Sequence, residues 1–163
     1  VIILGIDPGL AIVGYGVLES VKGKVTPIDY GVINTPAGMA TPLRLQRIHK
    51  GMMTLLEKYK PDEIAVEELF FSNNVTTGIP VAEARGVILM TAINYTDKLF
   101  EYTPNQIKQA ITGWGGADKH QMQEVVRQTL RLKAIPKPDD AADALAVALT
   151  HAQTNRFGSL FGM

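Results

Sequence analysis

This 163-residue sequence predicts an α/β fold built on a mixed sheet. Three observations carry that prediction. The first 33 residues hold three strand-like segments joined by short turns, which makes an antiparallel meander. Two further short strand-like segments then alternate with apolar residues at helical spacing, and the chain closes on helices. A chain of this length forms one domain with a sizeable core. Its hydrophobic content of 46% and charged content of 20% leave little room for disorder. With no cysteine, neither a disulfide framework nor a thiolate metal site is available. No apolar run approaches bilayer length and no signal-type segment opens the chain, so no membrane partner and a cytoplasmic location are expected. A chain opening at Val1 is expected to be a processed or trimmed form.

The opening run from Val1 to Gly9 is apolar at successive positions, as in a central strand covered on both faces, and it ends in Asp7 and a Pro-Gly turn. Ile12 to Leu18 forms the second strand, with Gly14 and Gly16 marking a bulge or a close backbone approach. Val25 to Ile33 is the third. Thr41 is expected to cap a helix with Pro42 at its first position, and Leu45, Ile48, Met52 and Leu55 keep helical spacing to about Tyr59. Glu63 to Glu67 is a short buried strand, parallel to the first if the helix is a right-handed crossover. A loop with Phe70 and Phe71 leads to an apolar helix from near Pro80 to Tyr95, suited to a core or a subunit interface. Phe100 to Tyr102 is the fifth strand. Helices follow from Pro104 to about Thr112 and from Lys119 to Leu132, and Asp139 or Asp140 is expected to cap the last one. The domain is expected to span residues 1–156, with an apolar tail at 157–163.

Asp7 lies beside a buried strand with no Lys or Arg before Lys22 to pair with it. A lone ionised acid in such a place must be paired, protonated or bound to a cation. Glu67 ends the strand expected next to it. Asp140 and Asp143, three residues apart, share one face at the start of the last helix. Acids in a first turn also gain from the helix dipole, by about 0.3–1 kcal/mol each, which is a purely structural alternative for this pair. Four clustered carboxylates would repel one another, and two divalent cations would offset the repulsion. Oxygen-only ligation suits Mg²⁺ or Mn²⁺, and two such ions can cleave phosphodiesters by activating water and stabilising the leaving oxygen.

Net charge is zero, yet the segment from Pro104 to Pro138 carries Lys108, Lys119, Arg127, Arg131, Lys133 and Lys137 against only Asp118 and Glu124. Such an excess suits phosphate contact, or is simply a set of solvated helix faces. His49, His120 and His151 are expected at surface or packing positions rather than as ligands.

The motifs Gly5-Ile6-Asp7-Pro8-Gly9, Gly14-Tyr15-Gly16, Ala65-Val66-Glu67-Glu68-Leu69-Phe70, Ala82-Glu83-Ala84-Arg85-Gly86 and Asp140-Ala141-Ala142-Asp143-Ala144 together resemble the bacterial RuvC family of Holliday junction resolvases. The resemblance covers nearly the whole chain in order. It implies a ribonuclease H-like fold, here a five-stranded mixed sheet flanked by helices. It also implies a homodimer that nicks a four-way DNA junction symmetrically, leaving 5′-phosphates, in recombination and repair. By the same resemblance Asp7, Glu67, Asp140 and Asp143 are the catalytic, metal-binding carboxylates, holding two Mg²⁺ or Mn²⁺ ions. Phe70 would stack on bases and Lys108 and Lys119 would contact DNA, with RuvA and RuvB as protein partners. Glu68 and Asp139 adjoin the motif positions without matching them. Two rivals stand beside this reading. One is a nuclease-like fold that binds nucleic acid without cutting; the other is an actin-like or sugar-kinase ATPase, which would need a second domain to close over its nucleotide.

Overall fold

The computed structural model describes the backbone of residues 1–68 and 75–160, and the side chains of 1–68 and 78–154. The sheet comprises β1 (Ile2–Asp7), β2 (Ile12–Val21), β3 (Lys24–Asn34), β4 (Glu63–Glu67) and β5 (Leu99–Tyr102). Their order is β3-β2-β1-β4-β5. β1 pairs antiparallel with β2 and parallel with β4, β2 pairs antiparallel with β3, and β4 pairs parallel with β5. Thus β1 is central, and this is why it is apolar at successive positions: Ile3 faces one layer of helix while Leu4 and Ile6 face the other.

Helices α1 (Thr41–Tyr59) and α2 (Val75–Tyr95) cover the face bearing Leu4, Ile6, Ile64 and Val66, through Ile48, Met52, Ala84 and Ile88. Helix α5 (Asp139–Leu160) crosses the opposite face, with α3 (Pro104–Thr112) and α4 (Lys119–Thr129) packed beside it. The expected five-stranded mixed sheet flanked by helices is the one observed.

Local differences have local causes. Thr41 is the first residue of α1 rather than its cap; Ala40 holds the cap position without a side-chain bond. Pro80 is the sixth residue of α2, which begins at Val75. Its fixed φ is helical, so it gives up one backbone bond without ending the helix. Helix α4 stops at Thr129 because Arg131 adopts a left-handed φ of 57° and turns the chain. The irregularity between β2 and β3 falls at Val17 and Leu18, not at the neighbouring glycines. Asp139 opens α5 and bonds sideways to α4, accepting from Gln123 Nε2 at 3.1 Å, and so serves to join two helices. The expected division at residue 156 falls within α5.

Candidate active site

Two glycines bring α5 down onto the sheet at the end where β1 and β4 finish. A Cβ on Gly5 would collide with the carbonyl oxygen of Ala144, and one on Gly14 with that of Asp140. Gly14 is the cross-strand partner of Asp7, so the start of α5 rests directly beside the Asp7 carboxylate. Ile6 pairs with Val66, which places Asp7 and Glu67 side by side at the ends of parallel strands. Three separate elements thereby deliver Asp7, Glu67, Asp140 and Asp143 to one place.

The electrostatics show how crowded that place is. The Asp7 carboxyl is pushed up to about 9, chiefly by burial and then by the charges of Glu67, Asp143 and Asp140. Asp7 holds its proton and donates it to Glu67. Burial, followed by Asp143, also raises Glu67, and burial is the leading cause of the raised Asp143. The cation nearest these acids is Lys119, whose Nζ lies 3.6 Å from Asp143 and 3.4 Å from Asp139. Burial works against the Lys119 ammonium, yet Asp143 and Asp139 hold it above its usual range.

Among the described residues, no three acidic or imidazole side chains converge tightly enough to ligate a single ion. The donor chemistry nevertheless fits hard divalent cations. The set is all carboxylate, half-buried, and short of positive charge, with Asp7 protonated for want of it. Asp7, Glu67, Asp140 and Asp143 are the residues that would hold such ions.

A groove of about 280 Å³ opens beside these acids, lined by Glu67, Asp143, Lys108, Lys119 and Met122 among others. It therefore joins both expected DNA-contacting lysines to the carboxylates. A larger groove of about 810 Å³, near Lys22, Lys24 and Arg131, lies toward the other end of β2 and reaches none of the four acids; the smaller one is the groove that meets Glu67 and Asp143. Phe70 lies outside the described residues. His49 bonds Thr91 at 2.8 Å, and His120 is exposed.

His151 is fully buried and takes no part in the acidic cluster. Its Nε2 meets Glu63 at 2.5 Å, its Nδ1 meets the Tyr102 hydroxyl at 2.7 Å, and its ring lies 4.4 Å from that of Phe100. Glu63 and Glu67 are four residues apart on β4, so both face α5, about 13 Å apart at strand rise. His151 and Asp143 are eight residues apart on α5, about 12 Å at helical rise. The His151–Glu63 contact and the placement of Asp143 near Glu67 therefore belong to one sliding register of α5 on β4. The sequence leaves His151 at a surface or packing position and carries no sign of its partners Tyr102 and Glu63, which lie 49 and 88 residues away.

Comparison with known proteins agrees with this geometry. The family model described as crossover junction endodeoxyribonuclease RuvC matches residues 3–151. The chain belongs to the RuvC family. A RuvC from Brevibacillus brevis is 54% identical over 97% of this chain and 95% of its own length. A RuvC from Alkaliphilus oremlandii is 50% identical over 98% of each. Among solved structures, Thermus thermophilus RuvC in complex with a Holliday junction substrate superposes with a TM-score of 0.90 at 38% identity, covering 97% of this chain and 96% of that one. The ribonuclease H-like fold expected from the RuvC resemblance is therefore the fold of this chain.

Proposed function

We propose that this protein is a structure-specific endonuclease that resolves four-way DNA junctions by paired nicks, through divalent-metal-dependent phosphodiester hydrolysis. The observation that carries the reading is the set of carboxylates brought together from β1, β4 and α5, two of which, Glu67 and Asp143, line a groove that also holds Lys108 and Lys119, in a chain of the RuvC family. Two Mg²⁺ or Mn²⁺ ions, when bound, would supply a water of lowered proton affinity and charge for the leaving oxygen. The residues themselves have defined tasks. Asp7, Glu67, Asp140 and Asp143 would hold such ions, and Asp7, which keeps its proton among the other acids, would have to release it to serve as a ligand. Lys119, already drawn toward Asp143, screens an incoming phosphate from the acids, and Lys108, which lines the same groove, holds the DNA backbone. Phe70, which follows β4 in the sequence and lies outside the described residues, is given a base-stacking role by the family resemblance.

Paired nicks call for two sites related by symmetry, and α2 offers a surface to pair them. Ile79, Gly86 and Ile93 recur at seven-residue spacing with Met90 between them; Ile79, Met90 and Ile93 are each at least half exposed, and a Cβ at Gly86 would meet open space. We assign this face to a homodimer contact, in which a two-fold axis matches the symmetry of the junction. RuvA and RuvB are the implied protein partners, and the cytoplasm the implied place of action; no described helix is long and apolar enough to cross a membrane.

The test is incubation with a labelled mobile four-way junction or matched linear duplex, with Mg²⁺ or EDTA. Symmetric nicks confined to the junction and to Mg²⁺ are expected. Junction binding without cutting would overturn the catalytic reading. For assembly, Met90→Glu should convert a dimer to a monomer by light scattering; an unchanged mass would remove α2 from the interface.

A further inference from the structure

Trp114 is the only tryptophan in the chain, and 58% of it is exposed. The other large exposed apolar side chains among the described residues belong to α1, α2 or the strands, apart from the first residue, Val1. Trp114 stands apart from them, between α3 and α4. Single exposed apolar residues are ordinary in themselves. What sets this one apart is how it is mounted and what flanks it.

The mount is rigid. Gly113 closes α3 with φ 74° and donates to the Gln109 carbonyl at 2.8 Å. Thr112 Oγ1 accepts from the Trp114 amide at 3.2 Å and lies 2.9 Å from the Trp114 carbonyl and 2.8 Å from that of Lys108. The Ala117 amide donates to the same Trp114 carbonyl at 3.3 Å. The indole rests against Gly116, where a Cβ would come within 2.7 Å of the ring. An exposed ring held this way loses little conformational freedom when something packs on it. The flanks are cationic. Lys108 precedes Trp114 by six residues and Lys119 follows it by five, and both lysines line the groove that reaches Glu67 and Asp143.

Trp114 does not itself line that groove, but its carbonyl accepts from Ala117, which does. An exposed aromatic face mounted at the edge of a groove holding two lysines suits nucleic acid better than an apolar protein partner. In an intact duplex arm the base faces are covered by their neighbours. At a crossover they can be exposed. We propose that Trp114 stacks on a base uncovered at the junction centre, and so adds selectivity for junction over linear duplex to the charge-driven binding of Lys108 and Lys119. This inference rests on the junction-nuclease reading given above.

The experiment uses the intact protein in EDTA, with a fluorescein-labelled four-way junction and a matched linear duplex. Binding is followed by anisotropy, and Trp114 emission is followed separately on unlabelled DNA. Saturating junction should quench the emission, and duplex should quench it less. Trp114→Ala should weaken junction binding by about fivefold or more, the equilibrium effect of losing one stacked base, and duplex binding by less than twofold. Trp114→Phe should recover most of the loss. The slope of log affinity against log salt should stay that of the wild type in both variants, whereas Lys108→Ala should lower it by about one. If the wild type binds the junction with unchanged emission, or if Trp114→Ala weakens junction and duplex equally or neither, the assignment is wrong. If Trp114→Ala does not fold, emission of the wild type and affinity of Trp114→Phe decide. Absence of any junction binding by the wild type would instead overturn the underlying function, and this inference with it.

Discussion

Asp7→Asn tests the crowding of the acids directly. Asp7 rises from an ordinary 3.8 to about 9 in the folded protein, so folding at neutral pH takes up a proton. A group raised in this way contributes its full stability below about pH 4, where it is protonated folded or unfolded, and loses it progressively as pH rises toward 9. Each unit is worth 1.36 kcal/mol, so at pH 7 the cost of keeping Asp7 in place is on the order of 4 kcal/mol. The introduced amide has the same shape, carries no charge, and can still donate to Glu67. If half of the cost is relieved, the melting temperature in EDTA at pH 7.5 should rise by about 5 °C, at about 2–4 °C per kcal/mol for a domain of this size. Near pH 4 the two proteins should melt together. Adding Mg²⁺ should stabilise the wild type much more than the variant, by mass action at the acid cluster, and the variant should bind junction DNA without cutting it. The assay is calorimetry from pH 4 to 9, with and without Mg²⁺. Identical melting curves in EDTA across that range would refute the argument that these acids are held against mutual repulsion.

Two further predictions concern the supports of the site. Gly14→Ala places a methyl group against the Asp140 carbonyl and should lift the start of α5, lowering stability by about 1–3 kcal/mol in urea denaturation and abolishing cleavage. Wild-type stability with normal cleavage would mean that α5 can yield at that point. His151→Ala removes the ring contacts to Glu63, Tyr102 and Phe100 and should lower stability by about 2–5 kcal/mol. It should also raise the Mg²⁺ concentration needed for half-maximal cleavage while leaving junction binding in EDTA intact. If only stability changes, His151 does not set the α5 register.

Much of this was legible in the sequence, for physical reasons. β1 could be read as central because burial on both faces demands an unbroken apolar run. Helix α5 could be read as close to the sheet because its alanines keep its surface low, and Gly14 and Gly16 carry the matching signal on β2. The acids stood out because carboxylates beside apolar strands need a reason to be there. Other features were silent. The role of Asp139 in joining α5 to α4 through Lys119 and Gln123 is a tertiary contact with no local pattern. The start of α2 was misplaced because Pro80 looks like a first-turn signal and is helical there without being one. The partners of His151 come from strands remote in sequence, and no periodicity reports them.

The seating of α5 on Gly5 and Gly14 bears on how such a protein can change over generations. Backbone meets backbone at those two points, so the height of the acids above the sheet does not depend on how any large side chain packs. Substitutions among Ile3, Leu145, Val147 and Leu149 can be traded for one another's volume while the carboxylates keep their places. The height of α5 above the sheet is thereby insulated from drift in the hydrophobic interior and tied to two positions at which a single added methyl group would be felt at once, while its sliding position is left to the His151 contacts.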